Sequence, residues 1–214
     1  MRAYLSKLRK DYQKMSLTEQ EALADPVSQL ESWIADAANN HVPEPNAFSL
    51  GTVDMDGKPH SRIVLLRNLK ADGLVFYSNY QSAKARQLDT NPHVAINFFW
   101  VDMERQVRIE GIAKKLSVVE SNEYFQSRPR LNQIAAWASP QSEEVTSREE
   151  LDAMVQAIEE KFKGVEVIEK PPFWGGYKVE PTYFEFWQGR PGRLHDRIAY
   201  RKSENGWDKV RLAP

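Results

Sequence analysis

Residues 47–69 read AFSLGTVDMDGKPHSRIVLLRNL, and this stretch decides the fold class. Two runs rich in strand-forming residues, Ala47–Asp54 and Lys58–Leu69, flank the pair Asp56-Gly57. An Asp-Gly pair between two such runs is a strong signal for a tight hairpin. The stretch therefore predicts two antiparallel strands joined by a short turn.

The strand pattern continues from this hairpin toward the end of the sequence. Further strands are predicted at Leu74–Asn79, Val94–Trp100, Arg105–Leu116, Tyr177–Glu180, Tyr183–Gln188, His195–Tyr200 and Trp207–Leu212. Val94–Trp100 is apolar at both alternating sets of positions, so we expect it to be covered on both faces. Strands and helices do not alternate, and six to eight strands with helices at the ends and in crossovers favour an antiparallel barrel. The predicted fold class is mainly β with peripheral helices.

Helices are predicted on both sides of the hairpin. Ser16-Leu17-Thr18-Glu19 resembles a capping box, and Asp25-Pro26 supplies an N-cap followed by a first-turn proline. Apolar residues then recur at helical spacing from Val27 to Ala37. Other helices are predicted at Ser82–Asp89, Ser117–Gln126 and Ser147–Phe162. The chain is thus divided into a basic, helical N-terminal extension over residues 1–24, which is a candidate substrate lid, and one domain over residues 25–214.

Composition limits the classes of function. The 214 residues are 41% apolar and 28% charged, with a formal net charge of −1, which argues against binding of nucleic acid or anionic membrane by bulk charge. The absence of cysteine excludes disulfides, thiolate metal sites and a cysteine nucleophile. The histidines show no metal-ligand spacing, and no hydrolase or Gly-rich phosphate motif is present, so no metal site is expected. The charged N-terminus lacks an apolar signal core, and we expect a cytoplasmic protein.

Phe186–Arg197, which reads FWQGRPGRLHDR, is the most informative stretch for chemistry. If residues 193–197 are extended, Arg193, His195 and Arg197 share one face of a strand. Two guanidinium groups and an imidazole on one face repel each other unless an anion lies between them, and phosphate suits forked Arg donors. The alternative is a solvated barrel rim on which Arg197 pairs with a carboxylate such as that of Asp196 or Glu185.

Two stretches near the hairpin carry cations that are further candidates. RIVLLR, residues 62–67, is a buried strand with an Arg at each end, although charges that end a core strand are usually just solvated. In Tyr77–Lys84 a strand runs into a helix start that offers hydroxyls, backbone N–H groups and a Lys, which is an arrangement that attracts phosphate. An ordinary Ser82 cap is the alternative.

Two later stretches complete the set of candidates. The amide of Gln106 both donates and accepts, so it suits the edge of a heteroaromatic ring, although a strand Gln is usually exposed. Tyr124 and Arg128 are four residues apart and share a helix face, which suits a phosphorylated aromatic ligand. A structural stacking pair explains the same spacing equally well.

Together and in this order, the motifs resemble the pyridoxine/pyridoxamine 5′-phosphate oxidase family, which has the FMN-binding split-barrel fold. The matching stretches are RIVLLR (62–67), FYSN (76–79), ERQV (104–107), YFQSRPR (124–130), WASPQS (137–142), FWGG (173–176), FWQG (186–189), RLHDR (193–197) and RLAP (211–214). The resemblance implies oxidation of a B6 phosphate to pyridoxal 5′-phosphate, with O2 as acceptor, in a homodimer with FMN between subunits. The alternatives are another flavin split-barrel enzyme, a non-catalytic binder of FMN or a B6 phosphate, and a structural barrel with no ligand.

The resemblance also implies roles for residues. FMN contacts would fall on Arg62, Val64, Leu65, Arg67, Tyr77, Ser78, Lys84, Gln106, Gln141, Ser142, Trp187 and Arg197. Substrate contacts would fall on Arg9, Tyr12, Arg67, Tyr124, Arg128, Asn132, Arg193, Leu194 and His195. Arg193 and His195 would be the catalytic pair beside the pyridine ring.

Three positions depart from the family's usual pattern. Arg67 stands where Lys is common, which keeps the charge but changes its shape. Ala83 stands where Arg is common, so one phosphate donor to FMN is missing. Asn132 stands where Ser is common in the substrate-phosphate loop, and its amide can still donate. These changes leave the implied reaction class alone, and they predict weaker retention of FMN.

Overall fold

One nine-stranded sheet organises the fold, which a computed structural model describes over residues 11–214. The strands are β1 (Ala47–Val53), β2 (Pro59–Leu65), β3 (Asn68–Lys70), β4 (Gly73–Asn79), β5 (His93–Trp100), β6 (Arg105–Lys115), β7 (Trp174–Gln188), β8 (Asp196–Ser203) and β9 (Gly206–Arg211). Their order is β2-β1-β5-β6-β7-β4-β3, with β8 paired to β7 and β9 to β8. Every pair is antiparallel, as predicted.

The long strand β7 explains why the sheet splits. One of its edges pairs with β6 over residues 177–188. Its other edge pairs with β4 over residues 174–179 and then with β8 over residues 183–188. The strands predicted at Tyr177–Glu180 and Tyr183–Gln188 are therefore one strand, and a register shift opposite Glu110/Gly111 leaves Thr182 as the extra residue between its two halves.

Five helices surround the sheet within the described residues. They are α1 (Pro26–Asn39), α2 (Ala83–Thr90), α3 (Val118–Ser127), α4 (Arg130–Ala138) and α5 (Arg148–Lys161), with short 3-10 turns at Val101–Met103 and Pro191–Arg193. The predicted start of α1 is confirmed, since the Asp25 carboxylate accepts from the backbone N–H of Ser28 at 2.8 Å. Between residues 11 and 214, no helix is both long and apolar enough to cross a membrane.

The Asp-Gly hairpin is confirmed, but the strand that follows it breaks at a corner. Gly57 has φ +79°, and Val53 pairs with Pro59 across the turn. β2 ends at Leu65 because the chain changes partner there. The Leu66 N–H still donates to the carbonyl of Asn46, the residue just before β1. The Arg67 N–H donates instead to the carbonyl of Val75 on β4. This corner places Arg67 at the end of one strand and the start of another.

Two apolar clusters hold these elements together. The main cluster fills the inner side of the sheet, where the α1 residue Trp33 meets Phe186 edge-on at 5.2 Å. A smaller cluster of Phe125, Ile134, Ile168 and Trp174 lies beneath helices α3 to α5. The candidate site lies where the two clusters meet, between β4 and α3.

The N-terminal segment differs from its prediction. The helix predicted to start at Ser16 does not form, and residues 11–24 contain only turns and bends. Thr18 and Glu21 cap each other instead, since the Glu21 carboxylate accepts from both the N–H and the hydroxyl of Thr18 at 2.9 Å. This local pair closes a single turn, and no second helical turn follows it.

Within the single chain, the prediction for β5 is met on one face only. Its inner residues from Val94 to Trp100 are buried, but the opposite face is open in the single chain, and Phe99 there is 55% exposed. Phe99 pairs directly with Gln106 of the next strand, so it belongs to the outer face of the sheet rather than to the core.

Candidate functional site

A cavity of about 660 Å³ opens between the ends of β2 and β4 and helices α2, α3 and α4. It brings together most of the predicted contacts from the first two thirds of the chain. The predicted residues that line it are Arg62, Val64, Leu65, Arg67, Tyr77, Ser78, Lys84, Tyr124, Arg128, Asn132 and Gln141. Trp174 also lines it, and sequence reasoning assigned that residue no role.

Lys84 is the buried cation at one end of the cavity. Its Nζ lies 2.8 Å from Oε1 of Gln141, 3.1 Å from the Ser78 hydroxyl and 3.3 Å from the Ser82 hydroxyl. Burial, and then the nearby charge of Arg62, lowers the pKa of Lys84 to about 8. Among the described residues it has no carboxylate partner, so a bound anion would relieve its isolation.

Arg62 stands beside Lys84 and is held in place by neutral acceptors. Its Nη1 donates to the Leu50 carbonyl at 3.1 Å and to the Thr52 hydroxyl at 2.5 Å, and its Nη2 donates to Gln87 at 3.2 Å. Burial lowers the pKa of Arg62 as well. Within residues 11–214 neither cation is neutralised by an acid, which leaves a net positive end of the cavity suited to a phosphate.

The start of α2 places Lys84 there. The Ser82 hydroxyl donates to the Asn79 carbonyl and makes no side-chain cap bond, so the alternative of an ordinary Ser82 cap is wrong. Asn79 in turn accepts from the Gln81 N–H at 2.7 Å, which turns the chain sharply after β4. Because that turn is tight, Ser78 on the strand and Lys84 in the first helical turn face the same space.

Arg128 is the half-buried cation at the other end of the cavity. Its guanidinium lies over the Trp174 ring, 4.6 Å from the centroid, and its buried Nη1 has no hydrogen-bond partner in the described structure. Burial lowers its pKa, and Arg67 adds to that effect. A buried N–H without an acceptor is costly, so this orphaned donor fits an anionic ligand better than an empty space.

Three parallel rings support the Arg128 end. Tyr77 and Tyr124 stack with centroids 3.7 Å apart, and Trp174 is parallel to both at 5.4 Å and 6.2 Å. Tyr124 and Arg128 meet the same Trp174 ring, but Arg128 is the extended C-cap residue after α3, so the predicted common helix face does not include it. The alternative, a structural stacking pair of Tyr124 with Arg128, is wrong, because Tyr124 stacks on Tyr77 and Arg128 lies over Trp174.

Two glycines of the FWGG stretch let α3 approach the sheet. A Cβ on Gly175 would lie 2.9 Å from the Ser121 hydroxyl of α3, and one on Gly176 would lie 2.5 Å from Leu116, just before that helix. The Gly176 N–H donates to the hydroxyl of Ser121 on α3 at 3.2 Å. The close contact holds α3 against β7, which pairs with β4, and α3 carries Tyr124 on the wall of the cavity.

A second group of predicted residues lies outside this cavity. Gln106, Trp187 and Arg197 are direct cross-strand neighbours on β6, β7 and β8, so they form a row on one face of the sheet. His195 packs on Trp187 with centroids 4.7 Å apart, and Tyr12 meets both rings edge-on at 5.6 Å and 5.7 Å. The N-terminal segment thus reaches this second group through Tyr12.

The geometry at residues 193–197 differs from the predicted strand. Arg193 lies in a 3-10 turn with φ +63°, and β8 begins only at Asp196. The side chains of Arg193, His195 and Arg197 therefore do not share one face of a strand, contrary to the prediction. Arg197 instead forms the ion pair with Glu185 that was the alternative, at 2.9 Å. Burial, and then the Arg193 charge, lowers the pKa of His195.

The His195 ring has a defined tautomer when it is neutral. Its Nδ1 accepts from the backbone N–H of Arg190 at 3.1 Å. The proton must then lie on Nε2, which makes that atom a donor.

The other predicted positions are exposed or undescribed. Leu194 is 74% exposed, and Ser142 is exposed with φ +76°. Arg9 lies outside the described residues.

Comparison with known proteins supplies the family. Residues 34–162 match the family described as "Pyridoxamine 5'-phosphate oxidase", and residues 174–214 match "Pyridoxine 5'-phosphate oxidase C-terminal dimerisation region". A pyridoxine/pyridoxamine 5'-phosphate oxidase of Thermosynechococcus vestitus is 48% identical over 98% of this chain and 99% of its own length. One of Cupriavidus metallidurans is 47% identical with the same coverage of both chains.

Solved structures agree with the fold. PhzG from Burkholderia lata, solved with tetrahydrophenazine-1-carboxylic acid, has a TM-score of 0.88 at 29% identity and covers 94% of this chain and 99% of its own. A pyridoxamine 5'-phosphate oxidase-related, FMN binding protein from Nostoc punctiforme has a TM-score of 0.69 at 17% identity, covers 94% of this chain and 100% of its own, and shows the split-barrel fold. By its sequence and its architecture, this chain belongs to the pyridoxamine 5′-phosphate oxidase family.

Proposed function

We propose that this protein oxidises pyridoxine 5′-phosphate or pyridoxamine 5′-phosphate to pyridoxal 5′-phosphate. The observation that carries the proposal is the buried, unpartnered Nη1 of Arg128 beside stacked aromatic rings. A phosphorylated aromatic ring satisfies both features at once. Full-length relatives that carry this enzyme name support the same substrate class.

FMN is the proposed cofactor, and the positive end of the cavity is its phosphate site. Arg62, Lys84 and the Ser78 hydroxyl supply donors there, while Arg67, Tyr124, Arg128 and Asn132 hold the substrate phosphate at the other end. Val64, Leu65, Tyr77, Gln141 and Ser142 are further proposed flavin contacts. Two separate cationic ends in one cavity of about 660 Å³ suit two phosphorylated ligands lying against each other.

The chemistry that FMN supplies when bound is acceptance of a hydride from C4′ of the substrate and return of the electrons to O2, giving H2O2. The alcohol yields the aldehyde directly, and the amine yields an imine that water hydrolyses to aldehyde and ammonia. The chain's own residues orient the substrate for this step. With its proton on Nε2, neutral His195 would donate a hydrogen bond to the substrate, and Arg193 would add a positive charge beside it.

The proposal requires a homodimer in which each site draws on both subunits. Gln106, Trp187, Arg193, His195 and Arg197 do not line the cavity of their own chain. Four of these five fall within the region described as a dimerisation region. Phe99 on the open outer face of β5 is 55% exposed, and a second subunit would cover this apolar ring. Light scattering should therefore give twice the mass of one chain.

One experiment tests the proposed reaction. Pyridoxine 5′-phosphate is added to FMN-loaded protein in air, and pyridoxal 5′-phosphate and hydrogen peroxide are measured together. We expect equal amounts of both products. Absence of product from FMN-saturated protein contradicts the proposed activity, and rapid flavin reduction by a nicotinamide without B6 turnover would favour a flavin reductase instead.

A further inference from the structure

The guanidinium of Arg197 is held from two sides by groups that have no assigned role. Its Nε and Nη2 both lie 2.9 Å from Oε1 of Glu185, and its Nη1 donates to the Ala213 carbonyl at 2.7 Å. A guanidinium has five N–H donors, so these contacts orient the group and leave further N–H groups for a ligand.

Glu185 is built into the sheet as an acceptor. It is 2% exposed on β7, and it also accepts from the Tyr183 hydroxyl at 3.0 Å and from Arg108 at 3.1 Å. Burial would raise the pKa of this carboxyl, but hydrogen bonds from Arg197 and Tyr183 outweigh burial and hold the pKa below its usual value. The carboxylate therefore stays charged at neutral pH.

Ala213 is exposed, but it directly follows an anchored segment. The preceding residue, Leu212, donates its N–H to the carbonyl of Arg197 at 2.9 Å, which continues the pairing of β8 with β9 by one step. Arg211 then ties the end of β9 to Asp196 at 2.8 Å. The Ala213 carbonyl reaches Arg197 because Arg211 and Leu212, the two residues before it, are both anchored to the start of β8.

We propose that Glu185 and the Ala213 carbonyl form a clamp that positions Arg197 for the flavin. The inference rests on the proposed function, in which Arg197 contacts FMN across the subunit boundary. An arginine side chain loses rotational freedom about several bonds when it binds a ligand. Fixing the side chain beforehand lowers this entropic cost of binding. Glu185 is thus a positioning residue for FMN binding, and the RLAP stretch acquires a physical role.

A double-mutant cycle tests the clamp. FMN dissociation constants are measured by quenching of flavin fluorescence for wild type, Glu185→Gln, Arg197→Met and the double variant. We expect Glu185→Gln to raise the dissociation constant about tenfold, the change that corresponds to about 1.4 kcal/mol, and to have no further effect when Arg197 is already Met. Glu180→Gln is the matched control, because it lies on the same strand but pairs with Lys114.

Each outcome of the cycle has a separate meaning. If Arg197→Met leaves the dissociation constant unchanged, the assigned contact between Arg197 and FMN is wrong, and the clamp fails with it. If Arg197→Met weakens binding but Glu185→Gln does not, the clamp alone is overturned. Equal effects of Glu185→Gln in both backgrounds also overturn it, because a merely structural role is additive.

A second pair of variants tests the clamp without altering Glu185. A chain stopped after Arg211 lacks the Ala213 carbonyl, whereas one stopped after Ala213 keeps an acceptor at that position. We expect weaker FMN binding and an altered near-ultraviolet circular dichroism spectrum of bound flavin only in the shorter chain. Identical binding by both chains would overturn the role of Ala213, and this comparison decides the matter if Glu185→Gln does not fold.

Discussion

Lys84 predicts an unusual pH dependence of cofactor binding. The side chain is buried among hydroxyls and an amide, and its pKa is lowered from 10.5 to about 8. The phosphate of FMN is a dianion above about pH 7, since its second pKa is about 6. We take it that only protonated Lys84 binds the phosphate well. The protonated fraction of Lys84 falls from about nine tenths at pH 7 to about one tenth at pH 9.

The expected result is a dissociation constant for FMN that rises about tenfold between pH 7 and pH 9, or about 1.4 kcal/mol. Fluorescence titration of the apoprotein at several pH values measures it. Lys84→Met should bind weakly at every pH, and Lys84→Arg should show no rise over this range because Arg keeps its charge. A flat wild-type profile from pH 7 to pH 9 would refute the reasoning.

Raising the pH should increase the contribution of the same lysine to folding stability, although it weakens FMN binding. Its pKa is lower in the folded protein than in the unfolded chain, so the unfolded chain binds more protons between about pH 8 and pH 10.5. The contribution of Lys84 to the free energy of unfolding therefore increases as the pH rises through that window, while FMN binding weakens. The difference between wild type and Lys84→Met in urea unfolding, measured without FMN, isolates this contribution.

Three further predictions concern single positions. Ala83→Arg should tighten FMN binding by about 1.5 kcal/mol or more, because it adds a charge-assisted hydrogen bond at the start of α2; a dissociation constant no lower than that of wild type contradicts the predicted weak retention. Arg128→Met should raise the KM for pyridoxine 5′-phosphate at least about tenfold and leave the FMN dissociation constant unchanged, and steady-state kinetics with a flavin titration separate the two. Asp25→Ala should lower the free energy of unfolding by about 1 kcal/mol through loss of the α1 cap, with Asp25→Asn near wild type in urea unfolding.

Local chemistry explains what could be predicted from the sequence. The Asp56-Gly57 turn, the Asp25 cap and the helix predicted from Ser117 each depend on neighbours within a few residues, and all three are present. Thr18 and Glu21 show the limit of such signals. They form a local cap, but no packed face follows to extend it into a helix.

Contacts distant in sequence explain what could not be predicted. The role of Trp174 depends on Arg128 packing on its ring, and the two are far apart along the chain. The break after Leu65 depends on β4 replacing β1 as the partner strand. At Arg193 a left-handed residue in a 3-10 turn ended the predicted alternation, since GRPGR allows either an extended strand or a turn.

The separation of the site residues into a cavity group and a sheet-face group has a genetic consequence. In the proposed dimer, a chain inactivated at Arg128 and a chain inactivated at Arg193 would each retain the half that the other lacks. Co-expressed in equal amounts, they would form mixed dimers with one intact site, so two inactive alleles would restore about a quarter of full activity. A protein whose site lay within one chain would show no such complementation.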